Sequence, residues 1–328
     1  MRYTASEKVE IIRLVEQSDV SVSRTLAELG IARSTFYSWY RRYMQDGFAG
    51  LERQTQTQRF WNRIPDGVRE QVVQIALERP ELSARELAWH ITDHEGYFIS
   101  ESSVYRILKA CDLLTNPVFE VVSAKDKFDH PTKRVNELWQ IDFTQLKVVN
   151  WGWYYLCTVL DDYSRSIVAW RLAPTMTTED AKATLDPAIA ATGVEHVKVE
   201  HRPRLLSDNG SAFIAEPLAQ YLKSHHIQHV RGAPYHPQTQ GKIERYHRSM
   251  KSIVKLEHFY FPWELEQAIT SFVDYYNRHR YHESLDNCTP TAVFEGRREE
   301  ILRQRQLTKQ RTLQHRQHQH LQLALQTG

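Results

Sequence analysis

The spacing of apolar residues along the chain changes character near residue 137. Before that point apolar positions recur every three or four residues, the helical period. "TASE" (Thr4 to Glu7) has the form of a capping box, with Thr4 as N-cap and Glu7 reaching back, and Val9, Ile12 and Val15 continue the stripe. "SVSRTLAELG" predicts a second short helix closed by Gly30, and "IARSTFYSWYRRY" a third in which Phe36, Trp39, Tyr40 and Tyr43 share one face. Residues 46–63 are polar and turn-rich and read as a linker after a first helical domain, 1–45. A second helical set spans 64–115: "PDGVREQVVQIALERP" stops at Pro80, "LSARELAWHITDHEG" starts from Ser83 and stops at Gly96, and Ser100 caps "ESSVYRILKACDLL". Residues 116–136, with Pro117 and Pro131, read as another linker.

From residue 137 alternation replaces the helical period. "LWQIDFTQLKVV", "WYYLCTVLDD" and "RSIVAWRLA" are three strand-like runs joined by hairpin-length connections. A helical "TTEDAKATLDPAIAAT", a strand "RLLSD", a helical "SAFIAEPLAQYLKSHH" and a short strand "IQHV" follow. The loop "APYHPQTQG" then leads into the helices "KIERYHRSMKSIVKLEH" and "PWELEQAITSFVDYYNRHR". The order βββαβαβα predicts a mixed five-stranded sheet flanked by helices behind an all-α N-terminal region. A fourth strand reached through a helix must cross over and lie parallel beside the first.

Composition narrows the function classes. A hydrophobic content of 41% over 328 residues supports real cores, and no apolar run approaches the ~20 residues of a membrane span. Cys111, Cys157 and Cys288 lack CxxC spacing and the N-terminus has no signal-peptide core, so a cytosolic protein without disulfides or a cysteine zinc site is expected. A net charge of +2 carries no case for nucleic acid, which must come from local patches. The first helical domain offers one: helix, turn at Gly30, then a helix presenting Arg33, Ser34, Tyr37, Ser38, Arg41 and Arg42 outward, the helix-turn-helix pattern of a DNA-binding unit. The second has the same layout, with Ser102, Ser103, Tyr105, Arg106 and Lys109 facing out, but 8 basic against 10 acidic residues over 51–115 weaken its electrostatic support.

The acids carry the chemistry. In the first strand Trp139, Ile141 and Phe143 share one face, while Gln140, Asp142 and Thr144 share the other. Strands disfavour Asp, so Asp142 points to a partner or a cleft. Asp208 ends the fourth strand in "RLLSDNGSAF", where an Asx turn is one reading and a metal ligand beside Asp142 the other. Two neighbouring carboxylates repel unless a cation neutralises them, and all-oxygen ligands suit Mg²⁺ or Mn²⁺. Glu244 follows Asp208 after 35 intervening positions (209–243) and shares a helix face with Arg248, Lys251 and Lys255, opposite an apolar face of Ile243, Tyr246, Met250, Ile253 and Val254. Taken alone it reads as an i,i+4 ion pair with Arg248 on a solvated helix, although an acid one turn from two cations also suits a metal ligand beside phosphates. Asp161, Asp162 and Glu216 are the competing acids, the first two read as hairpin residues in "DDYSR".

"WQIDFT", "LLSDNGSAF" and "HPQTQGKIER", with this Asp–Asp–35–Glu spacing, resemble the integrase-type catalytic core shared by bacterial insertion-sequence transposases and retroviral integrases. "YYNRHRYHESLDNCTPTAVF" (275–294) resembles the segment following that core in the bacterial enzymes, and tandem helix-turn-helix units fit that branch. The resemblance covers residues 137–295 and implies a ribonuclease H-like fold. It implies a metal-binding catalytic triad, Asp142, Asp208 and Glu244, with two Mg²⁺ or Mn²⁺ ions per site. It also implies two-metal phosphoryl transfer on double-stranded DNA, cleaving transposon ends and joining them to target DNA. Lys242, Arg245, Arg248 and Lys251 on the last core helix are the candidate phosphate contacts. A bacterial cytoplasmic, nucleoid-associated protein is expected, and because one acid set acts on one strand while a mobile element has two ends, a dimer or tetramer on paired ends is expected as the active species. The two linkers would let the helix-turn-helix units reach a partner's active site. A tyrosine recombinase and a DNA-binding regulator with a non-catalytic core are the rival readings. His225, His226, His229, His236 and His247 lack zinc spacing and read as solvated or phosphate-side residues. The tail, 296–328, has 7 basic and 2 acidic residues from 297 on and no clean leucine heptad, and reads as a DNA-contacting arm or helix, or as a frayed solubilising tail.

Overall fold

The computed structural model describes residues 3–18, 20–51, 61–114, 132–231, 241–254 and 258–326. The loop read at 233–241 and His236 fall almost wholly or wholly outside them. The chain divides into two compact units, Met1–Arg63 and Ile64–Gly328.

The first unit is α1 (Ala5–Gln17), α2 (Val22–Glu28) and α3 (Arg33–Leu51). Thr4 and Glu7 form the capping box at the start of α1. Val9, Ile12, Val15, Leu26, Ile31 and Phe36 make the core, with Trp39, Tyr40 and Tyr43 partly buried against it. One expectation needs correction: the domain does not stop at 45. α3 bends at Gly47 (φ 61°, ψ −143°), and the chain packs back so closely that a Cβ on Gly50 would strike the Arg42 carbonyl. Leu51 thereby enters the core at 2% exposure, and Lys8 Nζ donates to its carbonyl (3.1 Å). Glycines that read as a turn are here the means of a close return.

The second unit opens with α4 (Asp66–Glu78), α5 (Ala84–His94) and α6 (Glu101–Ala110), packed around Val72, Leu87, Ile91, Val104 and Leu108. Ser83 caps α5 as expected. Ser100 stands at the N-cap of α6, but its hydroxyl bonds Ser102 and Ser103 rather than a backbone amide.

The sheet runs β3-β2-β1-β4-β5, from β1 (Leu138–Val148), β2 (Gly152–Asp161), β3 (Ile167–Ala173), β4 (Arg204–Ser207) and β5 (Gln228–Arg231). β1 pairs antiparallel with β2 and parallel with β4, which is the predicted crossover. α7 (Thr178–Thr192), α8 (Ser211–Ile214) and α9 (Glu216–Ser224) cover one face, on which Trp139, Ile141, Leu205, Leu185 and Leu218 meet. α10 (Gly241–Val254) and α11 (Pro262–Arg278) cover the other, on Leu146, Val148, Leu156, Ile243, Tyr246 and Ile269. α8 and α9 were one helix in the sequence reading. They separate at Ala215, which is extended, because Pro217 has no amide to continue the ladder.

Beside its apolar packing, α11 is hydrogen-bonded to the sheet edge by one side chain. Asn277 Oδ1 accepts from Ile167 N and its Nδ2 donates to Ile167 O, both at 2.9 Å. α12 (Pro290–Phe294) and α13 (Arg298–Gln326) complete the unit. The tail is thus one 29-residue helix. It packs on α5, and Arg85 reaches Glu283 (3.0 Å), so the second helix-turn-helix is held against the core rather than reaching out from it. Among the described residues no helix is long and apolar enough to cross a membrane. Asn277→Ala should cost about 2 kcal/mol of stability, since two backbone groups of β3 lose their partner. Urea unfolding measures this, and amide exchange at Ile167 should accelerate.

Candidate active site

Asp142 stands on the central strand, half-buried, and Asp208 follows the last residue of β4. The β1–β4 register pairs Leu138 with Arg204, Trp139 with Leu205 and Gln140 with Leu206. Continued for two residues, the same register sets Asp142 level with Asp208 on neighbouring strands, which lie about 4.8 Å apart. The two acids thus belong to neighbouring strands, each just beyond the last paired residues of β1 and β4.

Asp208 also makes the turn. Its Oδ1 accepts from Gly210 N at 2.9 Å, an Asx turn. Gly210 itself has an ordinary φ of −60°. Its value is space, because a Cβ there would sit 2.9 Å from Asp208 Oδ1.

Glu244 lies exposed in the first turn of α10. What carries that turn to β1 is a buried polar knot. Gln140 Nε2 donates to Asp162 Oδ1 (2.7 Å), Lys242 Nζ donates to Asp162 Oδ2 (2.6 Å), and Gln140 Oε1 accepts from Ile243 N (3.1 Å). Thr132 donates to the same Asp162 oxygen that Lys242 holds (2.6 Å). Lys242 is only 8% exposed. It is not the phosphate contact the sequence suggested, because its ammonium is spent on Asp162 inside the protein. Burial pulls its pKa down and Asp162 pushes it back. Asp161 and Asp162 do occupy the turn after β2, but both are buried. Asp161 accepts from Asn136 N and from Ser164 N and Oγ, and burial raises its pKa. They are structural acids.

His247, one turn beyond Glu244, is buried too. Its Nδ1 lies 3.3 Å from Asp142 Oδ2 and its Nε2 lies 3.2 Å from Thr158 Oγ1, so it orients Asp142 from beneath rather than standing in solvent. His225 pairs with Glu195 and His229 with Ser207. Arg248 is exposed on the Glu244 face, while Arg245 and Lys251 are half-buried. On the helical units, Arg33, Ser34, Tyr37, Ser38, Arg41 and Arg42 are exposed on α3, as are Ser102, Tyr105, Arg106 and Lys109 on α6; Ser103 is half-buried.

The donor chemistry of Asp142, Asp208 and Glu244, oxygen only, fits a hard divalent cation. No three His, Cys, Asp or Glu side chains among the described residues are gathered closely enough to hold one.

Integrase core domain families match residues 132–237 and 225–290, and homeodomain-like families match 2–52 and 35–108. The chain carries an integrase core. Homeodomain-like helix-turn-helix regions precede it, and the part of the chain that matches the integrase models is the mixed five-stranded sheet with its flanking helices. The chain is 25% identical over 272 residues to the transposase of Tn552 from Staphylococcus aureus, across 76% of this chain and 56% of that protein. It thus spans little more than half of that relative. It is 23% identical over 310 residues to the IS3fB transposase InsF of Escherichia coli, across 88% and 97% of the two chains. An equine infectious anemia virus Pol polyprotein is 35% identical over 106 residues, 32% of this chain and 9% of the polyprotein. The catalytic core domain of HTLV-2 integrase in complex with magnesium superposes with a TM-score of 0.40 at 21% identity, covering 49% of this chain and 97% of that one.

Lys242→Met should destabilise the integrase-core unit by about 3 kcal/mol, the cost of stranding a buried carboxylate, and Lys242→Met with Asp162→Leu should recover part of it. Urea unfolding decides the matter. If Lys242 served phosphate instead, stability would hold and the salt dependence of DNA binding would fall.

Proposed function

We propose that this protein is a DNA transposase whose integrase core cleaves the ends of a mobile element and joins them to target DNA. What supports this reading is that Asp142 and Asp208 belong to neighbouring parallel strands and Glu244 to the helix packed on the same strand. The β1–β4 register, extended by two residues, would set Asp142 level with Asp208, and the Gln140–Asp162–Lys242 knot docks the first turn of α10, which carries Glu244, on β1. An Asx turn at Asp208 alone would need neither of the others.

The reaction consists of two displacements at phosphorus. Water attacks the phosphodiester at an element end, the bond to the 3′ oxygen breaks, and a proton returns to that oxygen to give a free 3′-OH. The 3′-OH then attacks a target phosphodiester, forming the new P–O bond as the target's own 3′ oxygen leaves. Neither displacement requires a covalent bond to the protein, so none of the tyrosines needs a nucleophilic role. Asp142, Asp208 and Glu244 would hold two Mg²⁺ or Mn²⁺ ions. Bound there, the metal supplies Lewis-acid activation of the attacking oxygen and neutralises charge at the scissile phosphate.

The remaining work falls to the chain itself. His247, held at its Nε2 by Thr158, fixes the inner side of the Asp142 carboxylate. Gly210 leaves room for the Asp208 carboxylate at the turn. Arg248 and Lys251, one and two turns beyond Glu244, would receive backbone phosphates, which makes binding salt-sensitive. The outward faces of α3 and α6 would grip end DNA in the major groove.

Glu244→Gln should lower end cleavage and strand joining by at least about 10³-fold, equivalent to about 4 kcal/mol, while end binding persists. An exposed ion pair with Arg248 would contribute little, so near-normal turnover in this variant would move the third acid elsewhere. EDTA should stop cleavage, and a protein-linked DNA product would instead support a tyrosine recombinase.

A mobile element presents two ends, whereas each chain contributes one Asp142–Asp208–Glu244 set. The active species should therefore be a dimer or tetramer assembled on paired ends, with assembly cooperative because modules already tethered on DNA meet at high effective concentration. Light scattering with and without end DNA, run beside a strand-joining assay, reads this. Full-rate joining by one protomer on one end would overturn it.

A further inference from the structure

The C-terminal helix is the part of the molecule whose sequence least explains its position. α13 is rich in Gln, His and Arg, yet it carries a buried stripe: Arg305, Thr308, Thr312 and Arg316 are each 5–7% exposed. Their spacing of three, four and four residues is one face of a helix. This face is polar, and its partners come from both halves of the second unit.

Toward the core, Ile301 and Leu302 pack on Leu285, Cys288 and Val293, with Tyr163 alongside. Arg305 stands at the junction. Its Nε and Nη2 donate to the two oxygens of Asp93 on α5, at 2.7 and 2.6 Å. Nη1 donates to the Asp286 carbonyl and Nη2 to that of Asn287, both at 2.9 Å. The guanidinium also lies 4.5 Å from the centre of the Trp89 ring. Asp286 and Asn287 have φ of 53° and 57°, left-handed values. One side chain thus joins a helix-turn-helix helix, the segment after α11 and the tail. Arginine suits this place because its rigid fork satisfies a carboxylate in bidentate fashion and still has donors left for two carbonyls.

Farther along, α13 meets the connection between α5 and α6. Arg316 Nε donates to Tyr97 Oη (2.7 Å) and Nη2 to the Phe98 carbonyl (3.0 Å). Thr312 Oγ1 accepts from Phe98 N (3.0 Å). Lys309 lies 5.1 Å from the Phe98 ring centre. Tyr97 and Phe98 are the turn that leads into α6, the helix whose outer face carries Ser102, Tyr105, Arg106 and Lys109.

We propose that α13 is a strap that fixes the second helix-turn-helix relative to the catalytic acids, with Arg305 and Arg316 as its positioning residues, so that the strap sets the distance between the DNA sequence gripped by α6 and the phosphodiester that is cut. This rests on the transposase reading above. Directional hydrogen bonds to a carboxylate and to backbone carbonyls define a geometry that an apolar contact of the same size would leave free to slide. The required tolerance is small, since one base pair of slip displaces the scissile phosphate by about 3.4 Å.

The test uses the full chain. Arg305→Met is combined with Asp93→Asn, so that no lone carboxylate is left at the junction. Arg316→Met, which strands no acid, is the second variant. Spin labels on Cys111, exposed at the end of α6, and on Ala190→Cys, exposed on α7, report the distance between the two parts. The parent protein should give one narrow distance distribution, and either variant one at least twice as wide. On end DNA the parent should cut at a single phosphodiester. The variants should bind within about threefold of the parent and spread their cuts to neighbouring positions. A distribution as narrow as the parent's, or cuts confined to the parent position, overturns the strap. If the parent cleaves no end DNA under any condition, the catalytic reading fails and the label distances alone decide the strap.

Discussion

The central strand governs this structure. At its start β1 is paired along both edges and covered by helices on both faces, so a polar side chain buried there must find a partner inside the protein or cost several kcal/mol. Gln140 and Asp142 are two such groups on one face. Gln140 is fully buried and resolves the problem by binding Asp162 and the Ile243 amide. Asp142 resolves it with His247. Both solutions recruit α10, so the helix that carries Glu244 is placed by the polar requirements of β1 as much as by Ile243, Tyr246 and Met250 on its apolar face.

Much of this was legible in the sequence, for identifiable reasons. Alternation at Trp139, Ile141 and Phe143 marks β1 because one face of a strand has period two, and the crossover to β4 follows from chain connectivity. Caps at Thr4 and Ser83 are local and were read correctly. The misreadings share a cause, which is that the deciding partner is far away in sequence. Lys242 looked like one more cation on a basic helix, whereas its carboxylate lies 80 residues earlier. Leu51 followed a glycine-rich turn that is in fact a return to Arg42. His247 had no sequence neighbour to indicate that it would pack against Asp142 on the sheet face beneath α10.

α13 is the extreme case. A periodicity search looks for apolar stripes, and the buried stripe of this helix is two arginines and two threonines. Such a face is invisible until Asp93, Tyr97, Phe98 and the carbonyls of 286 and 287 are in place to receive it. Charge counting pointed at DNA for the same reason, since it treats every cation as outward. Of the tail's cations, Arg303, Lys309 and Arg311 remain exposed and keep that reading available, while Arg305 and Arg316 do not.

Polar knots therefore place both mobile-looking parts of the second unit: Gln140–Asp162–Lys242 for α10, and Asp93–Arg305 with Arg316 for the second helix-turn-helix. A buried pair of this kind is poor value as net stabilisation, because desolvation offsets most of the attraction. Its advantage is geometric. An apolar contact tolerates a shift of an ångström with little change in buried area, whereas a bidentate carboxylate pair weakens as soon as its angles open. Chemistry at one phosphodiester among many needs positional accuracy more than it needs additional stability. On the transposase reading, spending charged groups on internal joints is a physically sensible way to obtain that accuracy in a chain whose surface would also meet DNA.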